Sequence, residues 1–225
     1  MVAHAPSTSH VRSWGSGTAA VVRLLVAADR PLTGVAIAQA VGVTQPRVSQ
    51  VLKQLAADDG VRSNAEGYVG RRARLMELYA RRARPALVTP ETFWYGTPGV
   101  IDQARRISTG RSRTMAFSAD VGPDLLAPWR HPTVAIVYLN ARPDFETAGL
   151  VPAEGRADAT VIARQTNDAT LVSPFPRWPQ QVDGLPLADP VQQWADLLEL
   201  GGDDRREAAD RLRRAILDRT IGHAT

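Results

Sequence analysis

The sequence predicts an α+β protein in two parts: a helical N-terminal domain closed by a short β-hairpin, then a C-terminal domain of mixed helices and strands. Three observations predict it. Apolar residues recur at the i, i+3, i+4 spacing through residues 18–28, 35–41 and 48–55, the period of helices with one buried face. The second and third of these segments are separated only by a turn carrying Gly42. Beyond residue 114 the texture changes to short β-branched or apolar runs, at 115–118, 134–139 and 160–163, set apart by Pro, Gly and Asp; these read as strands.

In chain order, residues 1–13 are polar and carry Pro, Ser and Thr, and are expected to be a disordered tail. The first helix buries Ala20, Val21, Leu24, Leu25 and Ala28 and ends at Asp29, Arg30 and Pro31. Thr33 is suited to cap a second helix, whose apolar face is Val35, Ile37, Ala38 and Val41. Gly42 ends that helix as a residue able to take positive φ. Thr44 then caps a third helix with Pro46 in its first turn and Val48, Val51, Leu52 and Leu55 inside. Two helices joined by so short a turn form a helix-turn-helix. Residues 61–63 and 68–70 pair across 64–67 as a wing, and a basic helix over 71–84 packs Leu75, Leu78 and Tyr79 inward. The first domain is thus a winged helix-turn-helix, residues 14–90.

Residues 85–97, with two prolines and an aromatic cluster, read as the junction. A helix opens at Thr97 and Pro98 and buries Val100, Ile101, Ala104 and Ile107. Asp183-Gly184 suits a two-residue hairpin turn. Asp189 and Pro190 begin a helix through Leu200, and a last helix near 205–219 buries Ala209, Leu212 and Ile216. Residues 91–225 form the second, α+β domain.

Composition narrows the chemistry. The chain has 225 residues, 44% hydrophobic and 22% charged, the profile of a globular protein. It has 0 Cys, so disulfides, cysteine-based zinc sites and a thiol nucleophile are excluded. The 4 His, at positions 4, 10, 131 and 223, are too scattered for a metal cluster, and no cofactor is expected. No stretch approaches the ~20 apolar residues of a membrane span, and the first dozen residues lack an apolar signal core, so a cytoplasmic location is expected. Charge is asymmetric: residues 1–90 carry 12 Lys/Arg against 5 Asp/Glu, and residues 91–225 carry 15 against 18. The first half is therefore expected to face a polyanion.

The third helix is where that polyanion would be read. Its apolar side opposes Pro46, Gln50 and Lys53, flanked by Arg47, Ser49 and Gln54. A groove-reading helix needs this layout, because Gln can bond adenine and Arg guanine through paired hydrogen bonds. Short hydroxyls such as Thr44 and Ser49 suit phosphates. The candidate contacts to double-stranded DNA are Thr33, Thr44, Gln45, Pro46, Arg47, Ser49 and Gln50, with Lys53, Arg62, Asn64, Arg71 and Arg72 on the backbone or an adjacent groove. A winged helix used only for protein contact is the alternative, and six arginines in 71–84 favour DNA.

No catalytic constellation emerges from the second domain. Asp144-Phe145-Glu146 has the spacing of a two-carboxylate metal site but sits in a Pro-bearing loop, and reads as a solvated loop. His131 has no Ser or Asp at a telling distance and reads as a turn residue. Residues 109–113 (TGRSR) lack the Gly pattern of a phosphate loop and read as a polar turn.

Two segments carry a resemblance. TMAFSADVGPDLLAPWRHPTVAIVYL, residues 114–139, and LADPVQQWADLL, residues 187–198, resemble the C-terminal part of AbiEi-family antitoxins of type IV toxin–antitoxin systems. VTQPRVSQVLKQL, residues 43–55, followed by a hairpin, is similar to winged helix-turn-helix bacterial regulators. Together the likeness spans residues ~15–220. It implies a nucleotidyltransferase-like second domain, repression of the protein's own promoter through an inverted repeat, and a nucleotidyltransferase-like toxin opposed without stable contact. Active nucleotidyltransferases carry Gly-Ser after the first strand and two acids on the second. Here the equivalent stretches are Phe117-Ser118-Ala119-Asp120 and 134–139, the latter without an acid, so no enzymatic activity is expected. The other expectation is a one-component regulator whose second domain senses a ligand or dimerises.

Overall fold

The computed structural model describes residues 13–83, 87–109, 114–126, 132–141, 144–179 and 181–221. It is an α+β fold of helices around one mixed sheet and two small hairpins. Helix α1, Ser16–Ala27, is apolar enough to be buried along nearly all its length. A six-residue loop leads to α2, Gly34–Val41, whose N-terminus is closed by the Thr33 hydroxyl accepting from the Ala36 amide at 3.2 Å. Gly42 ends α2 in the left-handed region, φ 73°, which glycine enters without a Cβ penalty. Helix α3, Gln45–Ala57, follows, with Val48, Val51, Leu52 and Leu55 buried as the spacing predicts.

Strands β1, Val61–Asn64, and β2, Gly67–Gly70, form an antiparallel hairpin. Leu32 adds an antiparallel bridge to Tyr68 on its outer side. Gly67 is required there: its φ is 140°, and a Cβ would come within 2.5 Å of the Leu32 carbonyl oxygen. Helix α4, Arg72–Arg82, packs on α1 through Leu75, Met76, Leu78 and Tyr79.

The second half is built on a five-stranded sheet in the order β4-β5-β7-β3-β6. These are β3 (Thr92–Tyr95), β4 (Met115–Ala119), β5 (Ala135–Leu139), β6 (Val151–Pro152) and β7 (Val161–Gln165). Only β5 and β7 run parallel. Side chains alternate across the sheet with period two. Phe117, Val137 and Ala163 meet α5, Val100–Ser108, and the hairpin of β8 (Gln181–Val182) and β9 (Leu185–Pro186). On the opposite face, Ser118, Tyr138 and Arg164 bond residues of α8, Pro190–Leu200. There too, Ala116, Ile136 and Ile162 cluster with Leu171 and Val172 of α7, Ala169–Val172. Helix α6, Val121–Leu126, leaves β4, and α9, Asp203–Asp218, packs along α8.

The two halves share one core. Leu25, Leu55, Leu75 and Tyr79 belong to the same apolar cluster as Trp194 and Leu197 of α8, Leu212 and Ile216 of α9, and Phe175 and Trp178.

Several expectations change. Val35 is 47% exposed, and Ile37 alone anchors α2 as a fully buried side chain. The aromatic run 92–95, expected as junction, is a strand inside the sheet, because Phe93 and Trp94 pair with Ile162 and Val161. Phe145 is buried and stacked on Trp94 at 4.7 Å, while Asp144 bonds the Thr147 amide and hydroxyl, so this loop is folded rather than freely solvated. Of the expected tail, only Ser13 falls among the described residues; His131 and 110–113 fall outside them.

Candidate nucleic-acid interface

Helix α3 turns one side to the core and the other to solvent. Thr44, Gln45, Pro46, Arg47, Ser49, Gln50 and Lys53 are all exposed, each offset from the buried Val48, Val51, Leu52 and Leu55. Thr44 is the N-cap residue but makes no side-chain cap bond, which leaves its hydroxyl free of that duty. Arg47 and Gln50 lie one turn apart: the Arg47 guanidinium donates to Thr18 Oγ1 at 3.1 Å and approaches Gln50 Oε1 at 3.5 Å. Both are therefore placed on one exposed patch.

The hairpin flanks that patch. Arg62 is exposed on β1. Asn64 has a structural duty: its Oδ1 accepts from the Glu66 and Gly67 amides at 3.0 and 2.9 Å, closing the two-residue turn. Only its amide N–H groups remain for a partner. Thr33 is exposed and already spends its hydroxyl oxygen on the α2 cap.

The arginines of the following helix are used differently from those of α3. Arg71 is paired with Asp59. Arg72 donates to the carbonyls of Val26 and Ala28 and lies 3.7 Å from Asp29. Arg74 donates to the Asp58 carbonyl at 3.0 Å, and Arg82 grips the Asp58 carboxylate while its guanidinium lies 5.8 Å from the Trp14 ring. The run of positive charge over 71–82 thus mostly braces the domain.

A second polar constellation, unmarked in the sequence, crosses the seam between the halves. Arg23 of α1 is 1% exposed and donates to Tyr79 Oη at 2.7 Å and Asp168 Oδ2 at 2.9 Å. Tyr79 donates to Gln192 Oε1 at 2.6 Å, and Gln192 donates to Asp196 Oδ1 at 2.8 Å. Asp196 also receives Ser118, Tyr138 and Arg164, and Arg164 reaches Glu91 and Glu199 at 2.6 Å each. Burial lowers the affinity of Arg23 for its proton, but the Tyr79 and Asp168 partners outweigh it and the net shift is upward. Burial pushes the Asp196 carboxyl up, opposed by Arg164. Glu91, Arg164, Gln192, Tyr79, Leu87 and Leu198 line a cavity of about 560 Å³ beside this chain.

Asp120, the lone acid after β4, is also committed. It accepts Arg205 at 2.8 and 3.0 Å and the Thr133 and Val134 amides at 3.0 and 3.1 Å. Burial raises its pKa, but these donors reverse the shift and hold it below the usual carboxylate range. Among the described residues, no three acids or histidines are grouped to hold a metal ion, and no helix is long and apolar enough to cross a membrane.

No family model matches the chain, and no curated protein matches it. A solved structure described as an IclR-family transcriptional regulator from Rhodococcus sp. aligns with 96% of this chain and 72% of its own at 15% identity. Its TM-score is 0.21, too low to carry weight for fold or function.

Proposed function

We propose that the protein is a transcription regulator that binds double-stranded DNA through a winged helix-turn-helix, with α3 in the major groove and the β1–β2 hairpin beside it. The observation that carries this is the α3 surface. Arg47, Gln50 and Lys53 stand exposed on a helix whose opposite side is locked into the core by four buried aliphatic residues. Such a helix offers base-reading donors at fixed positions without reorganising the fold. Arg47 and Gln50 read bases; Lys53 and Arg62 meet phosphates. Arg71 and Arg72 contribute mainly by holding the hairpin and α4 in place. Residues 14–90 are the DNA-binding domain and 91–225 the effector domain.

The finer reading is a repressor that is the autoregulating antitoxin of a toxin–antitoxin pair, acting in the cytoplasm on an inverted repeat in its own promoter. It rests on the resemblance of residues 114–139 and 187–198. In this reading the second domain is descended from a nucleotidyltransferase and performs no transfer. The absence of an acid on β5 and the engagement of Asp120 by Arg205 support that. A second reading, a regulator that senses a small ligand, is favoured by the 560 Å³ cavity bounded by α4, α8 and the sheet.

The test of DNA reading is selection of the full chain against a pool of random duplexes. One enriched sequence, lost in Arg47→Ala and Gln50→Ala, is expected. The antitoxin reading is tested by co-expression with the product of an adjacent nucleotidyltransferase-like gene, where growth should be restored.

A further inference from the structure

Three arginines from three separate elements converge on one carboxylate at the seam. Asp29, just beyond α1, lies 3.3 Å from Arg219 Nη1, 3.4 Å from Arg177 Nε and 3.7 Å from Arg72 Nη2. Arg30, exposed, is its chain neighbour. The charge does not balance: one negative group faces three positive ones, with a fourth adjacent. The other arginine clusters carry no such positive excess. Arg164 faces Asp196, Glu91 and Glu199, Arg82 faces Asp58, and Arg205 faces Asp120. The imbalance is felt at Arg72, whose affinity for its proton is lowered first by burial and then by the neighbouring Arg219 guanidinium.

The cluster is also open and underused. Its three guanidinium side chains are 21–42% exposed and Asp29 is 50% exposed. Each guanidinium has five N–H donors in a fork matched to phosphate oxygens. Arg219 directs Nη1 at Asp29, Arg177 adds one bond to the Arg219 carbonyl at 3.2 Å, and Arg72, though it spends Nε and Nη2 on the Val26 and Ala28 carbonyls, keeps Nη1, which leaves several donors over. Their positions are fixed. Arg219 is the left-handed cap of α9, φ 61°, and Arg177 adjoins the buried Trp178.

The cluster adjoins the proposed reading surface. Three residues separate Asp29 from Thr33, and the four steps between them span at most about 14 Å even if fully extended. Within that span, Leu32 is bonded to Tyr68 of the hairpin at 3.0 and 2.8 Å.

We propose that Arg30, Arg72, Arg177 and Arg219 form a second phosphate site for the backbone of the same duplex that α3 reads, so that both halves of the chain hold DNA. This rests on the DNA-binding reading and extends it, since Arg177 and Arg219 lie in the half whose overall charge is negative. Asp29 keeps the Arg72, Arg177 and Arg219 guanidinium groups gathered when DNA is absent, and a phosphate supplies the missing negative charge when it is present.

The test needs no operator, because phosphate contacts are independent of sequence. The affinity of the full chain for a random 40-bp duplex is measured from 50 to 200 mM salt. The variants are Arg177→Gln/Arg219→Gln, the charge-matched Arg105→Gln/Arg206→Gln, Asp29→Asn and Lys53→Ala, each checked by thermal melting. Loss of two phosphate contacts should make the salt slope shallower by about 2, so the deficit of the Arg177/Arg219 variant should shrink about tenfold between 50 and 200 mM. The charge-matched variant should follow the wild type. Asp29→Asn should bind at least twofold more tightly at 50 mM; a merely structural carboxylate would give unchanged or weaker binding, and that result overturns the site even if the double variant misfolds. A double variant that binds like its charge-matched control also overturns it. If 10 mM inorganic phosphate raises the melting temperature of the wild type but not of the double variant, while their DNA slopes agree, the site takes a free anion and the DNA assignment falls. Loss of binding in Lys53→Ala alone removes only this second site. A wild type that binds no duplex removes the reading surface as well.

Discussion

Arg47 and Arg164 are the same residue put to opposite uses. Arg47 sits on the open side of α3, exposed, and bonds, among the described residues, Thr18 and Gln50, neither of them charged. Arg164 is 2% exposed on β7, and its guanidinium is spent on Asp196, Glu91, Glu199 and Tyr138. The difference teaches how a basic composition should be read. A count of arginines locates nothing; what matters is whether each has a carboxylate of its own. Arg23, Arg82 and Arg205 belong with Arg164, whereas Lys53 and Arg62 are exposed like Arg47. The first set braces the fold from inside, and Arg23, paired with Asp168, ties the two halves together. The second is available to a partner.

The largest expected effect breaks the buried set. Arg164→Met strands the Asp196 carboxylate, at 0% exposure, without its cation, and should cost about 3–5 kcal/mol of stability by urea unfolding. A loss below about 1 kcal/mol would mean that Ser118, Tyr138 and Gln192 suffice for Asp196.

The next effect concerns pH. Asp189 caps α8 through Oδ1, bonded to the Val191 amide at 2.9 Å, while Oδ2 is buried without a hydrogen-bond partner. Burial pushes its carboxyl up to about 6, with Arg23 opposing. The unfolded value is ~3.9, so the folded chain holds this proton more firmly. The resulting stabilisation is complete below about pH 4 and is lost as pH rises through 6, an effect of up to about 3 kcal/mol. Asp189→Asn retains the cap acceptor and should flatten that part of the profile in melts taken from pH 4 to 7. Identical profiles for the two proteins would show that Asp189 does not titrate there.

The smallest effect separates exposed pairs from exposed readers. Arg71→Gln removes an ion pair that is about one-third exposed on the arginine and two-thirds on Asp59, and should change stability by no more than ~1 kcal/mol. Arg62→Gln should leave stability within ~0.5 kcal/mol and make the salt slope of DNA binding shallower by about 1. A larger stability loss for Arg62 would place it in the bracing set.

Locally coded features were legible from sequence. The α3 core face, Gly42 as the end of α2, the Asp183-Gly184 turn and the Asp189-Pro190 start of α8 each depend on residues within one or two turns. What was illegible depends on distant partners. Thr92–Tyr95 is a strand whose Trp94 meets Val161, and the prolines on either side, at 90 and 98, hid a run whose residue types favour strands. Arg23 has no local signal of its role, because its partner Asp168 is 145 residues away. Asn64 was legible as a hairpin residue, but its side chain is occupied by the turn it helps to make. On α3 the polar face was legible residue by residue, because periodicity alone decides which side faces out. The Asp29 cluster, gathered from α4, the loop before Trp178 and the end of α9, had no signal in the sequence at all.

The most direct measurement is the affinity of the full chain and of Gln50→Ala for two duplexes, the sequence enriched from a random pool and a scrambled control, at one salt concentration. Reading through α3 predicts that Gln50→Ala loses on the order of 1–3 kcal/mol on the enriched duplex and much less on the scrambled one, with an unchanged melting temperature. Equal losses on both duplexes, or no enriched sequence for the wild type, would contradict it.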